Sequence, residues 1–239
     1  ADKDYDGDSD ATVTSGTLSG MVNGQTLSVT AAGTFASENV AYSGTSVIDQ
    51  NVTVVYTLAD GTGGGLASNY SLAGQTLQAA INPLALTITG TTAADKVYDG
   101  NAVATIDNVG TLSGFVGDET VTATATGQFG SANVVRDGSG NVIDGSVTAS
   151  FTLANGNGGG LAGNYTVADV TGIAAAITPK EITISGATVD TRDYDRTTTA
   201  TIDTTGASFA GLVSGEDLDV SATGVFDSVH VGRRNVTVT

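Results

Sequence analysis

The stretch GTLSGMVNGQTLSVTAAGTFASENV (16–40) returns as GTLSGFVGDETVTATATGQFGSANV (110–134) and, more loosely, as ASFAGLVSGEDLDVSATGVFDSVHV (207–231). Internal repetition constrains this chain more than any other feature. VTVVYTLADGTGGGLASNY (52–70) returns as VTASFTLANGNGGGLAGNY (147–165), and AAINPLALTITG (79–90) as AAITPKEITISG (175–186). ADKDYDG (1–7), ADKVYDG (94–100) and DTRDYDR (190–196) stand at the front of the copies. The unit is about 95 residues, far beyond solenoid repeats of roughly 20–50, so each copy can hold a core of its own. The expected modules are 1–93, 94–189 and a third, 190–239, whose pattern runs only to NVTVT (235–239), the counterpart of 51–55. A module ending there is expected to leave an open strand edge.

Within a copy, apolar residues alternate with period two. Leu27, Val29 and Ala31 alternate with Ser28, Thr30 and Ala32; Val121, Ala123 and Ala125 repeat the pattern, as do Leu218, Val220 and Ala222. Val52, Val54, Tyr56 and Leu58 form a second face, matched by Val147, Ala149, Phe151 and Leu153, and Leu84, Leu86 and Ile88 a third, matched by Ile182 and Ile184. Such alternation describes half-buried strands. The fold class is therefore all-β: an elongated tandem array of small modules, each an Ig-like sandwich or a β-grasp-like sheet with one helical turn over 18–24 or 112–118. Phe35, Phe129 and Phe226 share one position, and Tyr70 and Tyr165 another; both read as core anchors. DGTGGG (60–65) and NGNGGG (155–160) read as flexible hairpin loops, and VRDGSGNVID (135–144) as an inserted hairpin. The link between modules is about five residues, short enough to limit bending.

Charge narrows the function classes. Asp and Glu number 25 against 8 Lys and Arg, a formal net charge of −17. Nucleic acid and anionic membranes both need Lys and Arg to neutralise phosphate, so neither is an expected partner. There is no Cys for disulfide or thiol chemistry, and no apolar run approaches the ~20 residues of a membrane span. The chain begins mid-pattern and reads as a piece of a longer one. His230 is the only histidine, and its counterparts are Asn39 and Asn133. Asp118/Glu119 and Glu216/Asp217 stand at strand starts and read as solubilising. No catalytic residue is assigned, no cofactor is called for, and the chain is expected not to be an enzyme. Without Trp, and with aromatics at 5%, a broad sugar-stacking platform is not expected either.

The candidate sites cluster at the front of each copy. Asp2, Asp4 and Asp6 form an acidic ladder resembling half of a calcium loop, the one Ca²⁺ candidate in the chain. Such a loop also wants a Glu at its twelfth position, where Val13 stands. Only Tyr-Asp recurs in all copies: Tyr5-Asp6, Tyr98-Asp99 and Tyr194-Asp195, followed by Gly7, Gly100 and Arg196. The alternative to a metal is a turn in which Asp accepts from backbone N–H groups and Gly supplies a positive φ. A Lys–Asn isopeptide staple would need Lys3 or Lys96, Asn69 or Asn164, and Asp6 or Asp99; Arg192 in the third copy cannot do that reaction.

Lys96-Val97-Tyr98-Asp99-Gly100, Gly117-Asp118-Glu119, Gly163-Asn164-Tyr165 and Ala176-Ile177-Thr178-Pro179-Lys180 together resemble the YDG-type repeat of large secreted bacterial adhesins, similar to filamentous haemagglutinins and exported by two-partner secretion. The resemblance covers essentially the whole chain. Departures are Ser68 and Leu84 in the first copy and Arg196 in the third. It implies an extracellular, cell-surface stalk or spacer supporting adhesion or biofilm fibres, with Tyr5, Asp6, Gly7, Tyr98, Asp99, Gly100, Tyr194, Asp195, Asn69, Tyr70, Asn164 and Tyr165 as structural motif residues. Its expected partners are neighbouring repeats, other adhesin copies, or host and matrix glycans or proteins. The other reading is a glycan- or protein-binding module acting through the Gly-rich loops or by self-association.

Overall fold

A computed structural model describes residues 1–22 and 24–239 of the chain. Among the described residues the elements are strands, with two single 3-10 turns, Ala67–Asn69 and Ala162–Asn164. The protein is all-β, as its alternation predicts, in many small sheets. Among the described residues, no helix is long and apolar enough to cross a membrane. Contacts divide the chain into two compact units. The first comprises Ala1–Ala93, Thr105–Gly127 and Val147–Ile173; the second comprises Ala94–Ala104, Gln128–Ser146 and Ala174–Thr239. The units cut across the sequence copies, because strands of one copy pair with strands of the next.

The first unit is built on a long hairpin. Leu27–Phe35 pairs antiparallel with Gln50–Asp60 from Leu27↔Asp60 to Phe35↔Val52. Asp10–Ala11 adds to one side and Gln75–Ala79 to the other. The alternation of the sequence becomes burial here: Phe35, Val52 and Val54 are buried, while Ser28, Thr30, Asn51 and Thr53 face water. Fully burying each large apolar side chain stabilises by about 1.5–3 kcal/mol. Phe35, Val52 and Val54 pack with Tyr5, Ile81, Leu86, Val121 and Tyr165, so one core draws on two sequence copies.

The strand Leu84–Thr89 explains that mixing. It lies between Thr111–Ser113, antiparallel to it, and Tyr165–Val167, parallel to it. Sequence order puts this strand at the close of the first copy, yet both of its neighbours belong to the second. The connecting residues are also paired: Thr92–Ala93 runs against Ile106–Asn108. The helical turn expected over 112–118 does not form. Thr111–Ser113 is held by the Leu84–Thr89 ladder, and Gly114 and Gly117 have φ of +100 and +54, where a helix needs negative φ. The same expectation over 18–24 includes Asn23, which lies outside the described residues.

In the second unit, Lys96–Val97 runs parallel to Ile177–Thr178, as Lys3–Asp4 does to Ile81–Asn82. Thr183–Ser185 pairs with Ser208–Ala210 and Thr188–Val189 with Ile202–Asp203. Gly224–Phe226 sits between Thr199–Ala200 and Val236–Val238. Its register, Gly224↔Val238 and Phe226↔Val236, reproduces Gly33↔Val54 and Phe35↔Val52. The alternating residues 218–223 form no strand. In the first copy's register the partners of 27–31 are 56–60, positions without an equivalent among residues 1–239, whereas Thr223, the equivalent of Ala32, keeps its backbone bonds to Thr239. The inserted hairpin is present, closed by an Arg136↔Val142 bridge and by Asp137, whose carboxylate accepts from the Ser139 and Asn141 N–H groups.

Candidate functional site

The recurrent Tyr-Asp-Gly turn is built around a cation. Lys3 Nζ donates to Asp6 Oδ1 at 2.6 Å, to Asp8 Oδ1 at 2.7 Å and to the Asp8 carbonyl at 2.9 Å, and stands 5.8 Å from the Phe35 ring centroid. Asp6 Oδ1 also accepts from Asp8 N–H at 3.2 Å, and Gly7 takes φ +82. A Cβ at Gly7 would lie 2.8 Å from Val116 Cγ1. Burial alone would lower the Lys3 pKa, but the bonds to Asp6 and Asp8 raise it overall. The same ammonium holds the Asp8 carboxyl below its usual range. So fixed, the turn aims Tyr5 inward, where it is 3% exposed.

A second tyrosine arrives from the Gly-rich loop. Thr120 N–H donates to the Asn157 carbonyl and Gly156 N–H to the Gly160 carbonyl, both at 3.0 Å, and Asn155 Oδ1 accepts from Ala162 N–H at 2.8 Å. A Cβ on Gly156 or Gly160 would run into the Thr120 carbonyl. The 60–65 loop repeats this against Thr26. These loops, whose composition suggests flexible hairpins, are bonded to the backbone beside them. Their glycines let two backbones touch, and the 3-10 turn that follows delivers Asn164 and Tyr165 to the core.

Glu119 joins the two tyrosines. Its Oε1 accepts from the Tyr5 hydroxyl at 2.6 Å and its Oε2 from the Tyr165 hydroxyl at 2.7 Å. The Tyr165 oxygen in turn accepts from Val116 N–H at 3.1 Å. The rings of Tyr5 and Tyr165 stand edge to face, 5.5 Å apart at 81°, and Phe115 packs on Tyr165 in the same way at 5.7 Å. Burial, and then the Glu119 carboxylate, raise the Tyr5 pKa; both also raise that of Tyr165. Beside them Asn164, 1% exposed, donates to Asn39 Oδ1 at 2.7 Å and accepts from Val40 N–H at 3.0 Å. The Tyr42 hydroxyl donates to the Gly163 carbonyl at 2.8 Å. Tyr5, Asn39, Val40 and Tyr42 come from the first copy; Glu119, Gly163, Asn164 and Tyr165 come from the second. The site is a clamp between consecutive copies.

A family model described as the YDG domain matches residues 82–172 and 178–239. The chain belongs to the YDG domain family. No curated protein and no solved structure matches it. The first YDG match begins at Asn82, beside the strand Leu84–Thr89 that pairs with second-copy strands, and ends after their partner Tyr165–Val167.

The later YDG turns vary on the first. Lys96 Nζ reaches Asp99 Oδ1 at 2.7 Å, and Asp99 Oδ1 accepts from Asn101 N–H at 3.1 Å. The Lys96 contact, then the backbone bond, holds the Asp99 carboxyl low. Tyr98 donates to Glu216 Oε1, which raises its pKa, and a Cβ at Gly100 would lie 2.8 Å from Val213 Cγ1. In the third turn Arg192 replaces Lys, reaching Asp195 at 2.6 Å and Thr197 Oγ1 at 2.7 Å beneath the Phe226 ring. Thr197 N–H, then its hydroxyl and Arg192, lower the Asp195 pKa. Arg196, where YDG has its Gly, adopts φ +69. Tyr194 is 57% exposed.

The first copy's Asn-Tyr makes only half of the clamp. Tyr70 donates to Gln25 Oε1 at 2.7 Å and accepts from Val22 N–H at 3.1 Å, while Asn69 is exposed. Gln25, Glu119 and Glu216 hold one position of the YDG repeat. The latter two are not the solubilising charges that their place at a strand start suggests; the sequence signal for their role is an acceptor recurring at one position in all three copies. The acidic ladder does not converge. Asp2 Oδ1 accepts from Ala80 N–H at 3.0 Å, Asp6 is held by Lys3, and Asp4 is exposed in the strand Lys3–Asp4. Among the described residues no three His, Cys, Asp or Glu side chains form a metal-sized group. Lys3 is bound to Asp6 and Asp8, and the Asn164 amide to Asn39, so an isopeptide trio is not assembled from them.

Proposed function

We propose that this YDG chain is a structural spacer: tandem repeats forming part of the stalk of a bacterial extracellular adhesin, supporting cell adhesion or matrix fibres. The observation that carries the reading is the Tyr5–Glu119–Tyr165 clamp. It places the best-buried polar chemistry between successive copies rather than in a substrate cleft. Each tyrosine is neutral and hydrogen-bonded, so the group ties elements together and offers no free nucleophile or base. A net charge of −17 keeps such an array soluble at a surface. The Gly-rich loops support the spacer reading over a loop-based binding module, because their backbone groups are already joined to Thr26 and Thr120.

Small-angle scattering tests the spacer directly. A radius of gyration well above the roughly 18 Å of a compact domain of this length supports a stalk, and a value near that figure rejects it. In parallel, the purified chain is offered to glycan arrays and matrix proteins; saturable binding to one of these would favour the binding module.

A further inference from the structure

The second unit contains a cavity of about 240 Å³, lined by Phe129, Asn133, Val135, Asp144, Gly145 and Ile177 among others, all from the second copy. Backbone register shows what opens it. Ala36 N–H donates to the Asn51 carbonyl, Gly130 N–H to that of Ser146 and Asp227 N–H to that of Asn235, at 2.9, 2.8 and 3.0 Å. Gln50, Gly145 and Arg234 therefore hold one position of the repeat. Gln50 is buried, and its amide donates to the Asn39 carbonyl at 2.7 Å. Arg234 Nε donates at 3.0 Å to the carbonyl of His230, the counterpart of Asn39. Gly145 has no side chain to offer the matching carbonyl, that of Asn133. The backbone does not demand glycine here, since Gly145 is not among the positive-φ positions. A Cβ on it would meet Phe129 Cδ1, Val135 Cγ2 and the Ala175 carbonyl at 3.7 Å, which is ordinary contact. The cavity is the seat of a side chain that two copies have and the second lacks.

We propose that this cavity is a binding site for an alkylguanidinium cation. The filled copies define the occupant's chemistry: a planar N–H donor on an aliphatic stem, seated against a main-chain carbonyl. A guanidinium supplies several such donors in one plane. One of them goes to the Asn133 carbonyl, and the Asp144 carboxylate at the rim favours the charged head over a neutral amide. Phe129 and Ile177, each 3% exposed, cover the stem together with Val135. Lys96 stands 6.0 Å from the Phe129 ring centroid, with its charge already matched by Asp99. The third copy accommodates two cations in this arrangement, Arg192 on the Phe226 ring and Arg234 at the seat itself. An anionic ligand fits poorly beside Asp144 in a chain of net charge −17. The site is separate from the Tyr5–Glu119–Tyr165 clamp and does not rest on the spacer reading.

The test titrates n-butylguanidinium into the whole 239-residue chain by calorimetry. Uptake should saturate at a single site with a Kd of about 1 mM or tighter, as suits a ligand of this size. Gly145→Gln puts a side chain into the seat and should weaken uptake by about tenfold or more, with circular dichroism checking the fold. Asp144→Asn should weaken it by about threefold, the modest effect of an exposed ion pair. Gln50→Gly should open the same seat in the first copy and add a second site. Pentanamide, with a similar stem and a neutral head, should bind more weakly than the cation. A Gly-Arg-Gly peptide with blocked ends separates two sources of the same head group: uptake of n-butylguanidinium alone assigns the seat to a free ligand, and uptake of both extends it to an arginine side chain, either of which supports the proposal. No saturable uptake, undiminished uptake by Gly145→Gln, pentanamide binding as tightly as the cation, or no second site in a folded Gln50→Gly variant would each overturn it. None of these outcomes depends on whether the array is a stalk.

Discussion

Tyr5 and Tyr165, 160 positions apart in the chain, donate to the two oxygens of one carboxylate, Glu119, with their rings crossed at 81°. One side chain therefore reads the position of two elements at once. Tyr5→Phe or Tyr165→Phe should each cost about 0.5–1.5 kcal/mol. The pair should be non-additive by roughly 0.5 kcal/mol or more, because both share Glu119. Urea unfolding of the two single variants and the double variant measures this. Strict additivity would show that the carboxylate does not couple them.

Asn164 and Asn69 occupy the same place in their copies, yet only Asn164 is buried and doubly bonded. Asn164→Ala leaves the Val40 N–H without its acceptor and should cost about 1–3 kcal/mol. Asn69→Ala should stay within roughly 0.5 kcal/mol. Thermal melts of both variants decide; similar losses would mean that the clamp is not where Asn matters.

The third turn carries a built-in penalty. Arg196 adopts φ +69 where the other copies have Gly7 at +82 and Gly100 at +81. Left-handed backbone costs an L-residue about 1–2 kcal/mol, partly offset by the extra freedom glycine has when unfolded. Arg196→Gly should therefore stabilise the third copy by about 0.5–1 kcal/mol, read as slower hydrogen exchange over 190–203. Faster exchange would point to a contact of the Arg196 side chain that outweighs the strain.

Alkali should loosen the clamp. The folded-state pKa values of Tyr5 and Tyr165 are raised, so the neutral phenols favour folding. That contribution is fully present below the unfolded value of 10.0 and is lost as pH climbs through the higher folded values. The melting temperature should hold up to about pH 10 and fall above it. Tyr5→Phe should flatten the fall. A flat profile in the parent chain would contradict the assignment.

Calcium should do little. Asp2 is bonded to Ala80 N–H, and Asp6 and Asp8 to Lys3, so a cation at the ladder would have to displace an ammonium already seated there. Melts with calcium and with a chelator should superimpose. A rise of several degrees with calcium alone would reinstate the site.

Alternation made the hairpin 27–35/50–60 readable, since a period of two names the buried face directly. The same logic succeeds at 52–58 and fails at 218–223. A strand also needs a partner, and alternation carries no information about one. The pairing of Leu84–Thr89 with Thr111–Ser113 and Tyr165–Val167 was invisible for a related reason: register between distant strands is set by packing, not by local pattern. At the clamp, Tyr5, Asn164 and Tyr165 were legible because they recur. Glu119 was not, because a carboxylate at a strand start is ordinarily solvated and only its two phenol partners distinguish it. At the glycine loops the close approach to Thr26 and Thr120 was not legible, because composition reports backbone freedom without saying what that freedom is used for.

The joint between Tyr5 and Glu119 is made again, with the same residue types, between Tyr98 and Glu216. A junction written in one vocabulary has no fixed address. Excising or duplicating a whole repeat brings a tyrosine of the same kind to a glutamate of the same kind, and the seam closes as before. The joint then sets no limit of its own on how many such repeats can follow one another in a chain.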